Sequence, residues 1–510
     1  MHDVVIVGAG PVGLMLACEL GLAGCSVLVL EREPDPHTPW RAVPLGLRGL
    51  SATSVEAFDR RGLLPALLTA SGMDAPAAYS EEDELAPPYA VGHFGGMMLD
   101  SADVDVAALP YRIPGPAPEF VMTSLAAVES VLSEQAGRLG VEIRRGAAVS
   151  AIAQDAESVV VHAGEHAYPA RWVVGCDGGH SAVRGLAGFE FVGTEPQFTG
   201  YVMLVDVPDL ESLRPGFNPT PTGLYLRLPA DGHLGMMDFD GGAFDRSQEP
   251  TREHLQEVLR RVSGTEVTLT DVRLASSFTD RAMQTTTYRR GRVLLAGDAA
   301  HIHSPLGGQG LHTGIGDAVN LGWKLAATVR GYAPEGLLDT YTSERHPVAA
   351  WVLDWTRAQA VVMRPSPYAQ ATQGVVRDLL GTRDGTTDVF GKLSGWSIRY
   401  DLGSDHPLVG RNAPDLRLAD GTRVGELLRD GRGLVLDFSA DGSLRDATAG
   451  WEGRIRYVTG TARNDLGLAA VLVRPDGTVA WAADGGPDRE AFEQVAGRWF
   501  GSPVLVNHTR

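Results

Sequence analysis

The 510-residue sequence predicts an α/β protein in which a β-sheet region interrupts a parallel-sheet domain and a smaller α/β domain follows. Three observations lead to this prediction. Short apolar runs alternate with helical patterns near the N-terminus, and the same kind of run returns at "GRVLLAGDAA". Between about Gly193 and Phe278, stretches that alternate polar and apolar residues are separated by turn signals. The tail adds further strand-like runs, "GLVLDF" and "AAVLVRPDGTVAW".

The first 31 residues form a strand–helix–strand pattern. Val4–Val7 and Val27–Leu30 are apolar runs typical of strands buried on both faces, and Leu14–Leu22 has helical spacing between them. Further helices are expected from capping residues and apolar spacing over Ser51–Gly62, residues 124–140, Thr251–Val262, about Leu311 to Val329, and Thr340 to about Val362.

Composition excludes several classes of function. The net charge is −19, and so acidic a surface repels phosphate backbones, which argues against a nucleic-acid partner. The cysteines Cys18, Cys25 and Cys176 form neither a CxxC pair nor a metal-ligand cluster, so we expect a cytoplasmic protein without a disulfide framework or a metal site. Gly10 and Pro11 interrupt the first apolar run, so we expect no membrane span.

Gly8, Gly10 and Gly13 form a GxGxxG motif between the first strand and the helix, and Glu31 ends the second strand. Glycines at these positions allow the backbone to approach a pyrophosphate, and the start of the helix supplies free N–H groups. A carboxylate such as Glu31 accepts hydrogen bonds from ribose hydroxyls and repels a 2′-phosphate. The unit therefore predicts an ADP-containing cofactor, FAD or NAD rather than NADP.

Two further glycine-containing segments follow later strands. The segment "GCDGGHSAVR" contains Asp177 and is either a second cofactor contact or a common turn. The segment "GDAAHIHSPLGGQG" contains Asp298 at the end of an apolar strand, where a buried carboxylate needs partners such as the hydroxyls of a ribityl chain. Its glycines lead into a helix, and we expect backbone N–H groups there to approach a bound ring.

In this order, the three motifs resemble those of the single-component FAD-dependent aromatic hydroxylases, the group that includes para-hydroxybenzoate hydroxylase. The segments "DAVNLGWKLA" and "YTSERHPV" are similar to those of bacterial aromatic-polyketide hydroxylases. The resemblance covers nearly the whole chain. It implies a discontinuous Rossmann-like FAD-binding domain, an inserted β-sheet substrate domain and a C-terminal thioredoxin-like domain. The last has no cysteine here, so disulfide chemistry is excluded and a structural or association role is expected.

The resemblance also implies boundaries for these domains. They are residues 1–188 and 279–390 for FAD binding, 189–278 for the substrate domain and 395–510 for the thioredoxin-like domain, with part of 70–118 contributing to the substrate site. The substrate cavity is expected to be lined by residues of the inserted sheet and of the segment 297–310, here called the glycine loop, namely Tyr225, Arg227, Met236, Asp238 and Pro305. Each of the four sheet residues is equally explained as an ordinary sheet position that faces the core or solvent.

FAD contacts are implied along all three motifs. Those at the ADP end are Gly8, Gly10, Pro11, Val12, Gly13, Glu31 and Arg32. Asp177 and Asp298 are placed along the pyrophosphate and the ribityl chain. Those against the isoalloxazine ring are Pro305, Gly308, Gln309, Gly310 and Leu311.

Three positions near the flavin depart from the family pattern. His312 stands where the family usually has asparagine, and Leu125 lies near a position where relatives tend to have glutamine or arginine. Relatives also place an arginine before the second helix, a role that either Arg41 or Arg48 fills. These departures concern how the flavin is positioned, and both arginines, Leu125 and His312 are expected to contact it.

The resemblance implies one reaction cycle. NADPH or NADH, docking transiently, reduces FAD, and O2 then gives a flavin C4a-hydroperoxide that hydroxylates a polycyclic aromatic polyketide. The cofactor supplies the chemistry, and the protein orients the substrate and excludes water. His303 and His312 are candidate bases for activating a phenol, although either residue is equally explained by local packing.

Other functions remain open at this point. Related enzymes perform oxygen insertion of the Baeyer–Villiger type on similar scaffolds, and the motifs do not separate that reaction from hydroxylation. A non-catalytic flavin-binding assembly protein is a further alternative. A flavin halogenase is disfavoured because the sequence has no "WxWxIP" signature. The sequence leaves the oligomeric state open, with a homodimer as one option.

Overall fold

The computed structural model has a mixed α/β fold and describes residues 1–74, 90–109, 111–113, 117–230, 232–439, 442–464 and 466–504. The strands are β1 (His2–Val7), β2 (Val27–Glu31), β3 (Leu47–Ser51), β4 (Ala90–Phe94), β5 (Met97–Asp100), β6 (Phe120–Ser124), β7 (Glu142–Arg145), β8 (Val149–Gln154), β9 (Val159–Ala163), β10 (His166–Gly175), β11 (Phe191–Thr194), β12 (Thr199–Asp206), β13 (Gly216–Thr220), β14 (Gly223–Arg227), β15 (His233–Asp238), β16 (Asp271–Thr279), β17 (Ala282–Thr285), β18 (Arg289–Arg290), β19 (Val293–Leu295), β20 (His301–Ile302), β21 (Gly433–Asp437), β22 (Ile455–Thr459), β23 (Ala470–Val473) and β24 (Val479–Ala483). The α-helices are α1 (Pro11–Leu22), α2 (Ala52–Asp59), α3 (Leu64–Ala70), α4 (Leu125–Arg138), α5 (Ala182–Leu186), α6 (Arg252–Ser263), α7 (Gln309–Val329), α8 (Thr340–Val362), α9 (Pro367–Leu380), α10 (Arg383–Ser394), α11 (Val424–Leu427), α12 (Arg445–Thr448) and α13 (Arg489–Phe500).

The central sheet has the strand order β18-β19-β10-β1-β2-β7, and β9 and β8 continue it beside β10. Strands β19, β10, β1, β2 and β7 are parallel to one another. The core of β1 and all of β2 are buried, which explains why their sequences are continuous apolar runs rather than alternating ones. The predicted strand–helix–strand unit is therefore the centre of this sheet.

The chain leaves the central sheet after β10 and returns to it at β19, which pairs with β10 in parallel. The intervening residues form a second, antiparallel sheet of five strands in the order β13-β14-β15-β12-β16. Helix α6 covers one face of this sheet. It begins where the hydroxyl of Thr251 accepts a hydrogen bond from the N–H of His254, and it ends at Gly264 in the left-handed conformation.

Helices α7 and α8 follow the glycine loop in the sequence. Helix α7 begins at Gln309, two residues before the predicted start, because Gly308 adopts a left-handed conformation (φ 68°) and serves as its N-cap. Helix α8 spans the predicted residues Thr340–Val362. Helix α1 packs directly against α7, which brings the GxGxxG turn next to the glycine loop.

Residues 395–504, here called the C-terminal module, contain a four-stranded sheet in the order β22-β21-β23-β24 together with α11, α12 and α13. Leu434, Val435, Leu472, Phe492 and Trp499 are buried in its core. The same cluster includes Trp323 of α7, so the module and the N-terminal part of the chain share apolar packing.

The region expected to contribute to the substrate site is described in part. Helix α3 and the hairpin β4–β5 lie within residues 70–118 or at their edge, while residues 75–89, 110 and 114–116 lie outside the described residues. None of the described helices is long and apolar enough to cross a membrane.

Candidate flavin and substrate site

The glycine turn between β1 and α1 has two tight positions and one open position. A Cβ at Gly8 would lie 2.3 Å from the carbonyl oxygen of Cys176, and one at Gly13 would lie 2.1 Å from the carbonyl oxygen of Gly8. A Cβ at Gly10 would meet no atom within 4 Å. Gly8 and Gly13 are therefore required by the fold itself, whereas Gly10 leaves free space outside the turn.

Glu31 holds a fixed position at the end of β2. Its carboxylate is buried and accepts hydrogen bonds from the N–H groups of Ala9 (2.7 Å) and Glu33 (2.9 Å). Arg32 instead points to solvent and pairs with the neighbouring Glu33. The structure thus brings Glu31 to the glycine turn and leaves the side chain of Arg32 outside it.

The first turn of α1 also contacts the glycine loop. Pro11 occupies the first helical position, where a missing N–H costs nothing. The side chain of Val12 fills the space beside Gly297 and Gly314, where an added Cβ would lie 3.0 Å and 2.5 Å from its Cγ2 atom. These two glycines of the third motif therefore permit close packing of α1 on α7.

Asp177 forms side-chain hydrogen bonds within its own motif. Its carboxylate accepts hydrogen bonds from the hydroxyl of Ser181 (2.5 Å) and the N–H of Val183 (3.1 Å), which fixes the start of α5. Arg184 of the same motif donates to the carbonyl oxygens of Gly179 and Ala299. The second motif therefore orders its own turn and ties it to the third motif.

Asp298 differs from the expectation of a buried carboxylate. Its side chain is exposed and lies in a 3-10 turn over Gly297–Ala299, just after β19. The guanidinium of Arg48 donates to the carbonyl oxygens of Leu45 (3.1 Å) and Leu47 (2.7 Å). Surrounding protein desolvates it and lowers its pKa, while the nearby carboxylate of Asp298 acts in the opposite direction.

Arg41 and Arg48 have different environments. Arg41 forms an ion pair with Glu129 of α4 at 2.9 Å, and its carbonyl oxygen accepts a hydrogen bond from the N–H of Ala126. The N–H of Leu125 donates to the carbonyl of Gly46 in the same loop. The structure thus brings Arg41 and Leu125 together at the start of α4, and it brings Arg48 to Asp298.

The seven glycines between residues 297 and 322 do not share one role. Five of them accommodate protein atoms, because an added Cβ at Gly297, Gly307, Gly314, Gly316 or Gly322 would lie within 3.0 Å of a side chain. Gly308 has no atom within 4 Å, and Gly310 has only ordinary contacts. The expectation that these glycines serve a bound ring therefore applies to Gly308 and Gly310.

The start of α7 is open beside these two glycines. No side chain caps its first turn, so the N–H groups of Gln309, Gly310 and Leu311 form the positive end of a 21-residue helix. Pro305, just before the turn, is exposed, whereas Leu306 is buried. This arrangement supplies hydrogen-bond donors where an anionic group would be stabilised.

The two candidate bases differ in their hydrogen bonds. His312 accepts from the N–H of Ser51 (3.4 Å) and contacts the hydroxyl of Ser54 (3.2 Å) through Nδ1, and burial lowers its pKa to about 4. His303 donates through Nδ1 to the carbonyl of Ser304 (2.7 Å), and its Nε2 atom is buried without a partner among the described residues. His303 thus has a free lone pair, whereas the one on His312 is engaged.

The four sheet residues expected to line the substrate cavity lie on the face of the five-stranded sheet that α6 covers. Tyr225 and Met236 pack in the core beneath α6, Asp238 pairs with Arg261 of α6, and Arg227 donates to the carbonyl of Leu213. Side chains alternate between the two faces of a sheet, so the residues next to these four in the sequence point to the opposite face. The structure thus places these four side chains on the face beneath α6.

The face of the five-stranded sheet that points away from α6 packs toward the glycine loop. We call it the inner face. Leu224, Leu226, Met237 and Phe278 lie on it, in one cluster with Leu306 of the loop, Ala360 of α8 and Met363 directly after α8. The tip of the hairpin β4–β5 closes this region, since Cβ atoms at Gly95 and Gly96 would contact Val362 and Phe217 at 3.4 Å. The inner face is therefore the apolar wall beside the loop.

His93 and His233, two histidines on this side of the sheet, have lowered pKa values and therefore favour the neutral form. Burial lowers the pKa of His93 to about 4, and its ring lies 4.6 Å from that of Phe217. Burial, followed by the positive charge of Arg48, lowers the pKa of His233 at the start of β15. These two histidines therefore add no positive charge near neutral pH, and Arg48 is the charged neighbour of His233.

Several residues that matter for the site are not evident from local sequence patterns. Gln359 of α8 is fully buried, accepts from the N–H of Gly95 (2.9 Å) and donates to the carbonyl of Leu306 (3.4 Å). Asp317 and Arg345 form a buried ion pair behind the loop. The motifs "DAVNLGWKLA" and "YTSERHPV" contain the ion pair, but no local signal singles out Gln359 within its helix.

The arrangement fits FAD on the chain's own geometry. Gly10 leaves open space at the start of α1, Glu31 is fixed beside it, and Gly308 and Gly310 leave open space at the start of α7. Two helix N-termini and a carboxylate are the groups that a dinucleotide with an anionic pyrophosphate and a ribose requires. The fold and the site thus define a dinucleotide-binding flavoprotein with an apolar sheet face beside the glycine loop.

Comparison with known proteins identifies the family. Residues 1–356 match the family described as FAD binding domain, and residues 406–503 match the one described as aromatic-ring hydroxylase, C-terminal. A monooxygenase of Claviceps purpurea is 46% identical over 98% of both chains. The rifampicin monooxygenase of Streptomyces venezuelae is 40% identical, over 98% of this chain and 99% of its own.

A solved structure agrees with this assignment. OxyS anhydrotetracycline hydroxylase from Streptomyces rimosus has a TM-score of 0.83 at 36% identity, covering 99% of this chain and 100% of that one. The chain belongs to the family of FAD-dependent aromatic-ring hydroxylases, and it is a flavoprotein monooxygenase.

Proposed function

We propose that this monooxygenase uses NADPH or NADH and O2 to hydroxylate an uncharged polycyclic aromatic polyketide. The observation that carries the proposal is the apolar inner face of the five-stranded sheet, which packs toward the glycine loop. Fused aromatic rings bury large apolar areas and suit such a wall. The names of the similar rifampicin monooxygenase and anhydrotetracycline hydroxylase support a large polyketide substrate.

The proposed FAD position follows the open glycine sites. The ADP moiety lies at Gly10 and Glu31, and the ring lies at Gly308 and Gly310 before α7. Asp298, exposed between these ends, faces the ribityl chain. We propose the corresponding division into an FAD domain (1–188 and 279–390), a substrate domain (189–278) and a thioredoxin-like domain (395–510).

The chain's own residues then have three tasks. FAD, once reduced, supplies the oxygen-activating chemistry. The N–H groups at the start of α7 stabilise negative charge on the ring, and the inner face orients the substrate and excludes water. His303, with its free lone pair on Nε2, is the better of the two candidates for accepting a proton, because the lone pair on Nδ1 of His312 already accepts from the N–H of Ser51.

The apolar side chains of Leu224, Leu226, Met237 and Phe278 favour contact with neutral fused rings. A carboxylate packed against these four side chains would be buried without a hydrogen-bond partner, which is unfavourable. We therefore expect the enzyme to prefer a neutral fused-ring phenol over its carboxylated analogue, through a lower KM.

The test is incubation of the FAD-loaded enzyme with NADPH or NADH and matched pairs of neutral and carboxylated polycyclic phenols, followed by product mass and NMR. A product with one added hydroxyl on the ring, formed preferentially from the neutral member, supports the proposal. A lactone or a ring-opened product would instead establish Baeyer–Villiger insertion. Nicotinamide oxidation that yields hydrogen peroxide with every aromatic compound would favour a non-catalytic assembly role.

A further inference from the structure

A buried carboxylate holds the glycine loop from behind. Asp317 of α7 is fully buried and accepts three hydrogen bonds. Two come from the loop: the N–H of Gly297 (3.0 Å) and Nε2 of His301 (2.7 Å). The third comes from Nε of Arg345 on α8 at 2.8 Å. Asp317 therefore sets the position of the residues on either side of Asp298.

Arg345 extends this contact toward the C-terminal module. The guanidinium is buried, and besides Asp317 it donates to the carbonyl of Thr313 and to the hydroxyl of Tyr400, both at 2.9 Å. Gly316 makes room for it, because an added Cβ there would lie 2.7 Å from Nη2. Arg345 thus has one fixed orientation, and Tyr400 is one of the three partners that define it.

Tyr400 belongs to the C-terminal module. Its backbone N–H donates to the carbonyl of Gly410, and the N–H of Gly410 donates to Val479 of β24. A Cβ at Gly410 would lie 2.0 Å from the carbonyl oxygen of Tyr400, so the two segments are in close contact. The guanidinium of Arg474 lies 5.8 Å from the Tyr400 ring. The module therefore fixes this tyrosine by its main chain and by its ring.

A second ion pair reinforces the same junction. Arg474 forms two 2.8 Å hydrogen bonds with Glu344, the residue next to Arg345 on α8. Glu344 thus contacts the module through Arg474. Its neighbour Arg345 contacts Asp317, which holds the glycine loop. A change in how the module docks must shift Arg345, because both contacts share the same rigid backbone.

We propose that the C-terminal module positions the FAD-facing loop 297–304 through Tyr400, Arg345 and Asp317, which makes Tyr400 a positioning residue for the cofactor. The cysteine-free module thus has a structural role, which is to hold the cofactor-binding loop in position. The inference rests on the proposed placement of FAD against this loop.

The experiment measures FAD release from the purified holoenzyme without substrate, by the rise of free-flavin fluorescence, together with hydrogen exchange of the 297–304 segment. Tyr400→Phe removes one hydroxyl bonded to a buried cation, and we expect FAD release to accelerate roughly three- to tenfold. Exchange at Gly297 is expected to accelerate as well. Arg345→Lys keeps the positive charge but loses the geometry, and it is expected to have a larger effect in the same direction.

Two matched substitutions in the same module serve as controls. Tyr457→Phe removes a hydroxyl that donates to Asp437 at 2.8 Å, and Arg423→Lys alters a buried pair with Asp59 of α2 that does not reach Asp317. Both are expected to leave FAD release and loop exchange at the wild-type values. Equal acceleration in the controls would overturn the proposal, because it would reveal general loosening of the module.

Asp298→Ala separates this proposal from the proposed FAD site. We expect that variant to release FAD faster, since its carboxylate faces the ribityl chain. If Asp298→Ala accelerates release while Tyr400→Phe changes neither release nor exchange, the positioning role is wrong and the FAD site stands. If Asp298→Ala has no effect on release, the placement of FAD against the loop is wrong, and the positioning role is overturned with it.

Discussion

At the residue scale, the glycines of the site fall into two groups that the sequence does not distinguish. Gly8 and Gly13 are required because main-chain atoms occupy the space of a side chain, whereas Gly10 borders empty space. The GxGxxG spacing predicts all three equally, because it records only that glycine is present. Whether a glycine position is crowded or open depends on atoms of residues far away in the sequence, such as Cys176.

Gly10→Ala is predicted to bind FAD at least tenfold more weakly while leaving the apoprotein folded. The backbone at Gly10 (φ −78°) suits alanine, so the free energy of unfolding without FAD should stay within about 0.5 kcal/mol of wild type. The methyl group would occupy the space proposed for the pyrophosphate. Flavin titration and urea unfolding of the apoprotein measure the two quantities.

Gly13→Ala provides the contrast, since its methyl group would overlap the carbonyl of Gly8 and destabilise the apoprotein itself. Unchanged FAD affinity in Gly10→Ala would contradict the proposed position of the ADP moiety.

At the element scale, the five-stranded sheet shows why a strand prediction does not say which face each residue occupies. The alternation in residues 223–238 predicts two faces, but it does not say which face meets the helix and which meets the cleft. That choice is made by α6, whose Leu255, Val258 and Leu259 cover Tyr225 and Met236. The strands were predictable from the sequence, and the assignment of their faces was not.

A matched pair of leucine substitutions tests the two faces. Leu234→Ala, beneath α6, is predicted to lower the free energy of unfolding by about 2–5 kcal/mol and to leave the substrate KM unchanged. Leu226→Ala, on the half-buried inner face, is predicted to cost less stability and to raise KM or the fraction of NADPH lost to hydrogen peroxide. Urea unfolding and steady-state kinetics measure both variants. The opposite pattern would place the substrate on the other face.

At the scale of the whole molecule, buried neutral histidines predict sensitivity to acid. The pKa of His312 is about 4 in the folded protein, against 6.5 for an ordinary histidine. Between these values the unfolded chain binds more protons, so stability falls as pH falls, by about 2 kcal/mol for this residue between pH 7.5 and pH 5. Burial acts in the same direction on the pKa of His93.

His312→Asn should therefore lose less stability on acidification than wild type, by about the same 2 kcal/mol, when urea unfolding is compared at pH 7.5 and pH 5. Asparagine retains an acceptor for the N–H of Ser51 and does not titrate. The exposed His37 serves as the control, and His37→Asn should reproduce the wild-type loss. An unchanged loss in His312→Asn would show that His312 is accessible to protons in the folded protein.

The whole fold was largely predictable because most of it is recorded in local patterns. Strands, helices and the glycine motifs each occupy a short stretch of sequence, and their order defines the architecture. The junction of Asp317, Arg345 and Tyr400 joins three distant segments, so no window of sequence contains it. For the same reason, the partners of Gln359 were not predictable.

The two faces of the five-stranded sheet also bear on how such enzymes diversify. The face beneath α6 is a closed core, where most replacements weaken the domain. On the inner face, Leu226 and Phe278 are only half-buried, so replacing them removes less buried apolar surface. Selection can therefore alter the inner residues one at a time while the outer residues maintain the scaffold. A single chain architecture can in this way acquire new substrates over evolutionary time without first acquiring a new fold.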